Sequence, residues 1–345
     1  MRGAWGDVEQ TLLRLAGEDR FSGSVRVSRG DEVLLECGAG VADRACGAPV
    51  TPSTRFELAS LSKMFTAAAV LTCVRDGLLA PGDRVVDLVP PQRRPRTMAE
   101  EVTVHHLLTH TSGIGDYAEE DEDLDSYVED YGSLWADRPS YRMERPLDYL
   151  PMYAEAPPVT APGTRFHYSN AGYVLLGQLL EEVTGRPVTE AVTERAMAPA
   201  GMSGSGFLRL DEAHPDVATG YLPREPGRPW RSHVFSIPVI GSGDGGAFAT
   251  AGDVDRFLRS VASGQLLGDE PSALMQTRHV TVAEGWWMGY GLFLAEDGSL
   301  GHGGGDPGVE TQARHWPDRD LTLVVLCNQE EVLGPAWDLL VAAAA

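Results

Sequence analysis

Lysine is nearly missing from this chain. Among 345 residues there are 28 basic side chains, and only Lys63 is a lysine; the rest are arginines. Arginine can replace lysine as a surface charge. It cannot replace a lysine that must release its proton near neutral pH, because the guanidinium stays protonated. Lys63 is therefore a candidate for chemistry. Asparagine is also scarce, with Asn170 and Asn328 the only two. Positive charge is outweighed by 50 acidic residues, which leave a net charge of −22. That field repels phosphate backbones and anionic lipid, so neither nucleic acid nor a membrane is an expected partner. No apolar run reaches the ~18 residues of a membrane span. The opening MRGAWGDVEQTLLRLAGEDR has no apolar core of signal-peptide length, and a cytoplasmic setting is expected. The four cysteines, Cys37, Cys46, Cys73 and Cys327, form no C-x-x-C pair, which excludes a zinc ribbon or thioredoxin-like motif. Free thiols in a reducing compartment are expected.

What is present reads as strands at both ends and helices between. Residues 23–40 give two strands around a turn at Arg29–Asp31, with Val25 and Val27 alternating with polar neighbours. Residues 56–72 switch to helical spacing, with Ser60 near the start. Asn170 to Val183 reads as a helix capped by Ser169 or Asn170 and closed by Gly185. Gly289–Leu294 and Leu321–Cys327 read as strands, Pro317–Asp320 as a turn, and 335–344 as a closing helix. The expected fold is α+β. A sheet domain built from 1–74 and 246–345 carries a mainly helical insertion at 75–245, with the active site at their interface. Asp116 to Asp130 holds nine carboxylates and no base, and reads first as a solvated, mobile loop; the alternative is a loop with Tyr117, Tyr127 and Tyr131 at the mouth of the site that favours a cationic substrate or amine acceptor.

Three motifs carry chemistry. Ser60-Leu61-Ser62-Lys63 is S-x-x-K, and on a helix positions i and i+3 share a face. A serine hydroxyl is a poor nucleophile until a base takes its proton, and a lysine in an enclosed pocket has the lowered pKa needed to be that base. Tyr168-Ser169-Asn170 adds a phenol that can pass a proton and an amide that can hold a substrate carbonyl or orient the lysine. Gly301-His302-Gly303-Gly304-Gly305 allows a strand edge to approach a substrate closely. Other patterns are weaker. Gly241–Gly246 fits G-x-G-x-x-G but lacks a βαβ setting, so no dinucleotide cofactor is expected. His106 and His110 are spaced as in a zinc protease, but Leu107 stands where its Glu would be. No metal is expected there.

Taken in order, Ser60-x-x-Lys63, Tyr168-x-Asn170 and His302-x-Gly304 resemble the three motifs of the serine β-lactamase and penicillin-binding-protein superfamily. The resemblance is to the branch of class C β-lactamases, D-amino-acid peptidases and related esterases. FELASLSK, LLTHTSGI, HYSNAGYVLLG, GDGGAFATAGDVDRFL and GHGGGDPGV extend it along most of the chain. The resemblance implies an antiparallel sheet flanked by helices with an inserted helical domain. It also implies an acylated Ser60, acid–base work shared by Lys63 and Tyr168, and an oxyanion hole from the backbone N–H groups of Ser60 and Gly305. Substrate contacts are implied for Asn170, His302, Gly303 and Gly304.

The chain departs from the β-lactamases at its third motif. Their Lys-Thr/Ser-Gly, which recognises a substrate carboxylate, is replaced by His302 and Gly303. A penicillin-like carboxylate is thus poorly served, and a small ester, amide or thioester is the expected substrate. Acyl transfer from Ser60 to an amine or alcohol in small-molecule biosynthesis is the alternative. A non-catalytic binding protein on the same fold is a further one.

Overall fold

The computed structural model describes residues 2–224 and 227–344. Met1 and Ala345, the outer ends of the expected sheet domain, lie outside the described residues. Helix α1 (Arg2–Gly17) leads into strands β1 (Gly23–Arg29) and β2 (Glu32–Ala39). Helices α2 (Lys63–Arg75), α3 (Asn170–Thr184) and α4 (Ala251–Ala262) follow. The chain then returns through β3 (Val280–Ala283), β4 (Trp286–Met288), β5 (Phe293–Ala295), β6 (Leu300–Asp306), β7 (Val309–Trp316) and β8 (Leu321–Cys327), and ends in α5 (Leu333–Ala344). These eight strands form one antiparallel sheet in the order β2-β1-β8-β7-β6-β5-β4-β3. Among the described residues, no strand occurs between Leu58 and Ala247, and no helix is long and apolar enough to cross a membrane.

The sheet is covered on both faces, which explains why Leu321–Cys327 is apolar apart from Thr322. Leu321, Leu323, Val325 and Cys327 pack with α1 and α5, while Val324 and Leu326 pack into the larger core shared with α2 and α3. A strand buried on both sides needs no polar alternation. Each such side chain contributes about 1.5–3 kcal/mol by leaving water. α2 runs through the larger core, and every residue from Lys63 to Cys73 is buried. α3 is set at its start by the Ser169 hydroxyl, which accepts from the Gly172 N–H at 3.0 Å, and at its end by Gly185 in the left-handed region.

Two expected elements differ. The chain from Phe56 is not a continuous helix: Phe56–Glu57 pairs with Phe248–Ala249, and one 3₁₀ turn, Ala59–Ser62, precedes α2. Gly289–Leu294 is mostly a turn, with only Phe293 and Leu294 inside β5. Gly291 has φ +66° and backs onto Ala67 and the Lys63 carbonyl, drawing the chain away from the sheet toward α2.

β6 lies against the Ser60 turn. A Cβ at Gly304 would sit 2.9 Å from the Leu61 nitrogen and closer still to the Leu58 carbonyl, whereas a Cβ at Gly305 meets nothing within 4 Å. Gly304→Ala should therefore destabilise the fold by about 1–3 kcal/mol through forced backbone displacement. Gly305→Ala should stay within about 0.5 kcal/mol of the parent. Urea unfolding midpoints of the two variants test this, and equal midpoints would refute the close approach of β6.

Candidate active site

The turn that presents Ser60 is held under strain. Ala59 adopts φ +49°, a left-handed conformation that costs a non-glycine residue about 1–3 kcal/mol. The Glu57 side chain offsets part of this, because its Oε1 accepts the Ala59 N–H at 2.7 Å. The following 3₁₀ turn brings Ser60 and Lys63 onto one side.

Lys63 is wholly buried. Its Nζ meets Ser60 Oγ at 2.9 Å, Asn170 Oδ1 at 2.8 Å and the Asp244 carbonyl at 2.7 Å. The last two can only accept, so they take two N–H groups in either protonation state. The third direction faces a hydroxyl, which can donate. A neutral Lys63 is therefore fully satisfied with its lone pair aimed at the Ser60 proton. Burial pushes the Lys63 pKa down, while Asp244, Glu120, Asp306 and Asp116 pull the other way.

Tyr168 packs beside this pair. Its ring centroid lies 4.9 Å from Lys63 Nζ, and its hydroxyl is directed to Ser60. Burial raises its pKa well above the usual phenol range, Glu120 adds to that, and the Ser60 contact opposes it. His110 is stacked on Tyr168 at 4.4 Å and on Tyr173 at 4.8 Å. Its Nδ1 accepts the Ser169 N–H at 3.0 Å, and burial holds its ring neutral. His106, by contrast, caps the short helix Val104–Leu108 through Thr103.

A cavity opens beside Ser60. Ser60, Asn170 and Gly305 line it, and Lys63 and Tyr168 stand behind the serine. The residues expected to contact substrate are placed as follows. The Asn170 amide is already engaged: Oδ1 accepts from Lys63, and Nδ2 donates to Glu120 Oε1 at 2.9 Å and the Ala118 carbonyl at 3.3 Å. Its geometry orients the lysine. His302, Gly303 and Gly304 follow β6 away from the cavity wall. The His302 ring is buried 5.0 Å from Phe293 and 6.4 Å from Tyr168, its Nδ1 bonded to the Gly303 carbonyl at 2.5 Å. Burial pushes its pKa down to about 3, and the Lys63 charge adds to that. Gly303 faces the Gln312 side chain instead of the cavity.

The acidic segment is not simply a solvated loop. Asp116 accepts the first N–H groups of α3, from Asn170 at 2.5 Å and Ala171 at 3.1 Å. Glu119 is buried against His167 at 3.1 Å, and Glu120 lines the cavity. Tyr117 donates to Asp244 Oδ2 at 2.5 Å. The carboxylates between 121 and 125 remain at the surface, apart from a partial screening of Asp121. A negative charge at a helix N-terminus is favoured, which explains Asp116.

Sequence reasoning gave no signal for the cavity residues Glu57, Asp244 and Asp306, whereas Glu120 and Tyr131 belong to the acidic stretch weighed as a border of the site. The glycine-rich stretch Gly241–Gly246, set aside as a dinucleotide motif, is a wall of this site. It supplies the Asp244 carbonyl to Lys63 and the Gly243 carbonyl to Thr66 Oγ1 at 2.7 Å. Glycine is needed at Gly243, where a Cβ would run into the Tyr173 carbonyl and lie 3.0 Å from Gly177 of α3, and at Gly241, where it would lie 2.5 Å from the Gly245 carbonyl.

The family model described as Beta-lactamase matches residues 9–345. Esterase EstB of Burkholderia gladioli is 33% identical over 316 residues, covering 81% of this chain and 77% of that protein. Penicillin-binding protein 4* of Bacillus subtilis is 28% identical over 344 residues, covering 93% of this chain and 71% of that protein. The crystal structure of a penicillin-binding protein from Bacillus halodurans superposes with a TM-score of 0.88 at 34% identity, covering 96% of this chain and 99% of that one.

The arrangement around Lys63 leads to a measurable expectation. Raising pH removes the Lys63 proton at a pH below the ordinary lysine range, so Ser60 reactivity toward an activated ester should rise through that titration. Lys63→Arg keeps the charge but cannot accept the proton, and should lose about 10²–10⁴ in rate, close to the loss in Lys63→Ala. Substantial activity in Lys63→Arg, with the pH limb intact, would remove the base from Lys63.

Proposed function

The chain belongs to the β-lactamase family of serine hydrolases, and we propose that it cleaves a small ester or amide by passing the acyl group through Ser60. One observation carries the reading: the only lysine of the chain is wholly buried with its amine 2.9 Å from a serine hydroxyl at the mouth of a cavity. In the proposed cycle Ser60 Oγ attacks the substrate carbonyl and its proton moves to Lys63 Nζ. The tetrahedral oxygen takes hydrogen bonds from the backbone N–H groups of Ser60 and Gly305. Tyr168 and Lys63 then deliver the proton to the leaving group, and water attacks the acyl-Ser60 carbonyl to restore the serine. Asn170 and the Asp244 carbonyl hold Lys63 in place throughout.

The esterase relative supports an ester as the first substrate to test. All four cysteines are free thiols, which fits the proposed cytoplasmic setting. A second reading, transfer of the acyl group to an amine or alcohol, is favoured by the carboxylates that line the cavity and attract amines. Product analysis with and without an amine acceptor separates the two.

A fluorophosphonate should add one adduct to the intact protein, and Ser60→Ala should abolish it. Labelling that survives this substitution would end the assignment of Ser60 as nucleophile. Penicillins should be turned over at least roughly 100-fold more slowly than the best ester, since no cationic side chain among the described residues lines the cavity to meet a carboxylate. His302, neutral above about 3, offers no compensating cation. Penicillin turnover rivalling that of the ester would contradict this view of the cavity.

A further inference from the structure

We propose that His167 and Glu119 form a buried clasp that positions the groups around Lys63, by tying the chain at 118–120 to the chain at 167–170. The proposal rests on proton transfer between Ser60 and Lys63, as argued above. It adds two positioning residues that act from outside the cavity, since neither of them lines it.

His167 is 5% exposed and Glu119 2%, and His167 Nε2 lies 3.1 Å from Glu119 Oε2. The other carboxylate oxygen, Oε1, accepts the Asp121 N–H at 3.0 Å, and the Glu119 carbonyl accepts the Val128 N–H at 2.9 Å. The backbone N–H of His167 donates to the His110 carbonyl at 2.8 Å. Each partner is thus anchored on its own side, so the bond between them joins two segments and not two loose side chains. The charged groups facing His167 are Glu119, Asp121 and Asp116 from the acidic segment and Arg165 from its own. The bond to Glu119 lifts the His167 pKa, with burial opposing. Burial pushes Glu119 up, but the bonds it accepts from His167 and Asp121 outweigh this and leave it below its ordinary value. Each partner therefore favours the charged form of the other. Such a pair is costly to desolvate, and it fixes a direction that apolar packing would not.

The clasp sets the surroundings of Lys63. Glu119 stands between Ala118, whose carbonyl accepts from Asn170 Nδ2 at 3.3 Å, and Glu120, whose Oε1 accepts from it at 2.9 Å. His167 immediately precedes Tyr168, whose ring centroid is 4.9 Å from Lys63 Nζ. One buried bond thereby spaces the two segments that present the Asn170 amide and the phenol. Lys63 is faced by Asp244 from the glycine-rich loop, Asp306 from β6, and Glu120 and Asp116 from the acidic segment, all of which favour its charged form. The rings of Tyr168 and Tyr173 and the neutral His110 and His302 complete the surroundings. With the clasp open, Glu120 is no longer held beside Asn170, and Lys63 loses part of the charge that supports its proton.

Fluorophosphonate labelling of Ser60, followed across pH by intact mass, tests the proposal. His167→Ala should lower the plateau rate by about 10-fold to 100-fold and move the rising limb to lower pH. His167→Gln keeps an N–H donor and should recover most of the rate and the native limb. Glu120→Gln should move the limb in the same direction, and combining it with His167→Ala should move it no further. A native rate and limb in His167→Ala would overturn the clasp. So would shifts that add in the double variant, or a His167→Gln no better than His167→Ala. If His167→Ala does not fold, Glu119→Gln keeps the volume and one acceptor oxygen while removing the charge. It should move the limb the same way, and an unmoved limb there overturns the clasp equally. A native protein with no labelling, or with no rising limb, would instead defeat the Ser60–Lys63 reading beneath it.

Discussion

Three parts of the chain converge on one nitrogen. Lys63 Nζ ties together the serine turn, the first residue of α3 and the glycine-rich loop before α4, segments separated by 107 and 181 positions in sequence. A cationic lysine with no exposure is expensive to bury, and the surrounding structure limits that cost in two ways. It supplies fixed carbonyl acceptors that suit either protonation state, and it places carboxylates near enough to moderate the loss of solvation. The remaining features follow from keeping this convergence intact. Glycine is needed where the loop meets α3, and a strained Ala59 is tolerated because strand pairing and Glu57 hold it.

The acidic segment takes part in the same arrangement. Asp116 fixes the start of α3, which fixes Asn170, which fixes Lys63. Glu120 holds the other end of the Asn170 amide. On the opposite side, His110, held by the Ser169 N–H, is pressed between Tyr168 and Tyr173, so stacking positions the phenol beside Ser60. The polar and aromatic sides of the site thus use different forces to hold their proton-carrying groups.

Much of this was legible in the sequence, for identifiable reasons. The strands β1, β2 and β8 and the helix α3 were readable because their signals are local: alternation, an apolar run broken only by Thr322, a serine cap and a terminal glycine. Ser60, Lys63 and Tyr168 were readable because their motifs are short and lysine is so rare. The start of α2 was misplaced because Phe56 and Glu57 pair with residues nearly two hundred positions away, and that partnership overrides helical spacing. His302 was expected to meet substrate, but its ring turns into a pocket formed with Phe293 and Tyr168, which only tertiary packing creates. Glu57 and Asp306 carried no signal, since a lone acid next to a motif is ordinary until folding places two of them at one opening.

The burial of the only lysine has a consequence for the surface. An enzyme that handles acyl donors exposes its own amines to them, and a lysine modified in this way stays modified. Here the exterior cations are arginines, whose protonated guanidinium groups are not nucleophiles. The one lysine lies out of reach behind the serine. The described surface thereby presents no lysine amine to the reagents that its cavity would activate, and self-acylation of side-chain amines is suppressed by composition alone.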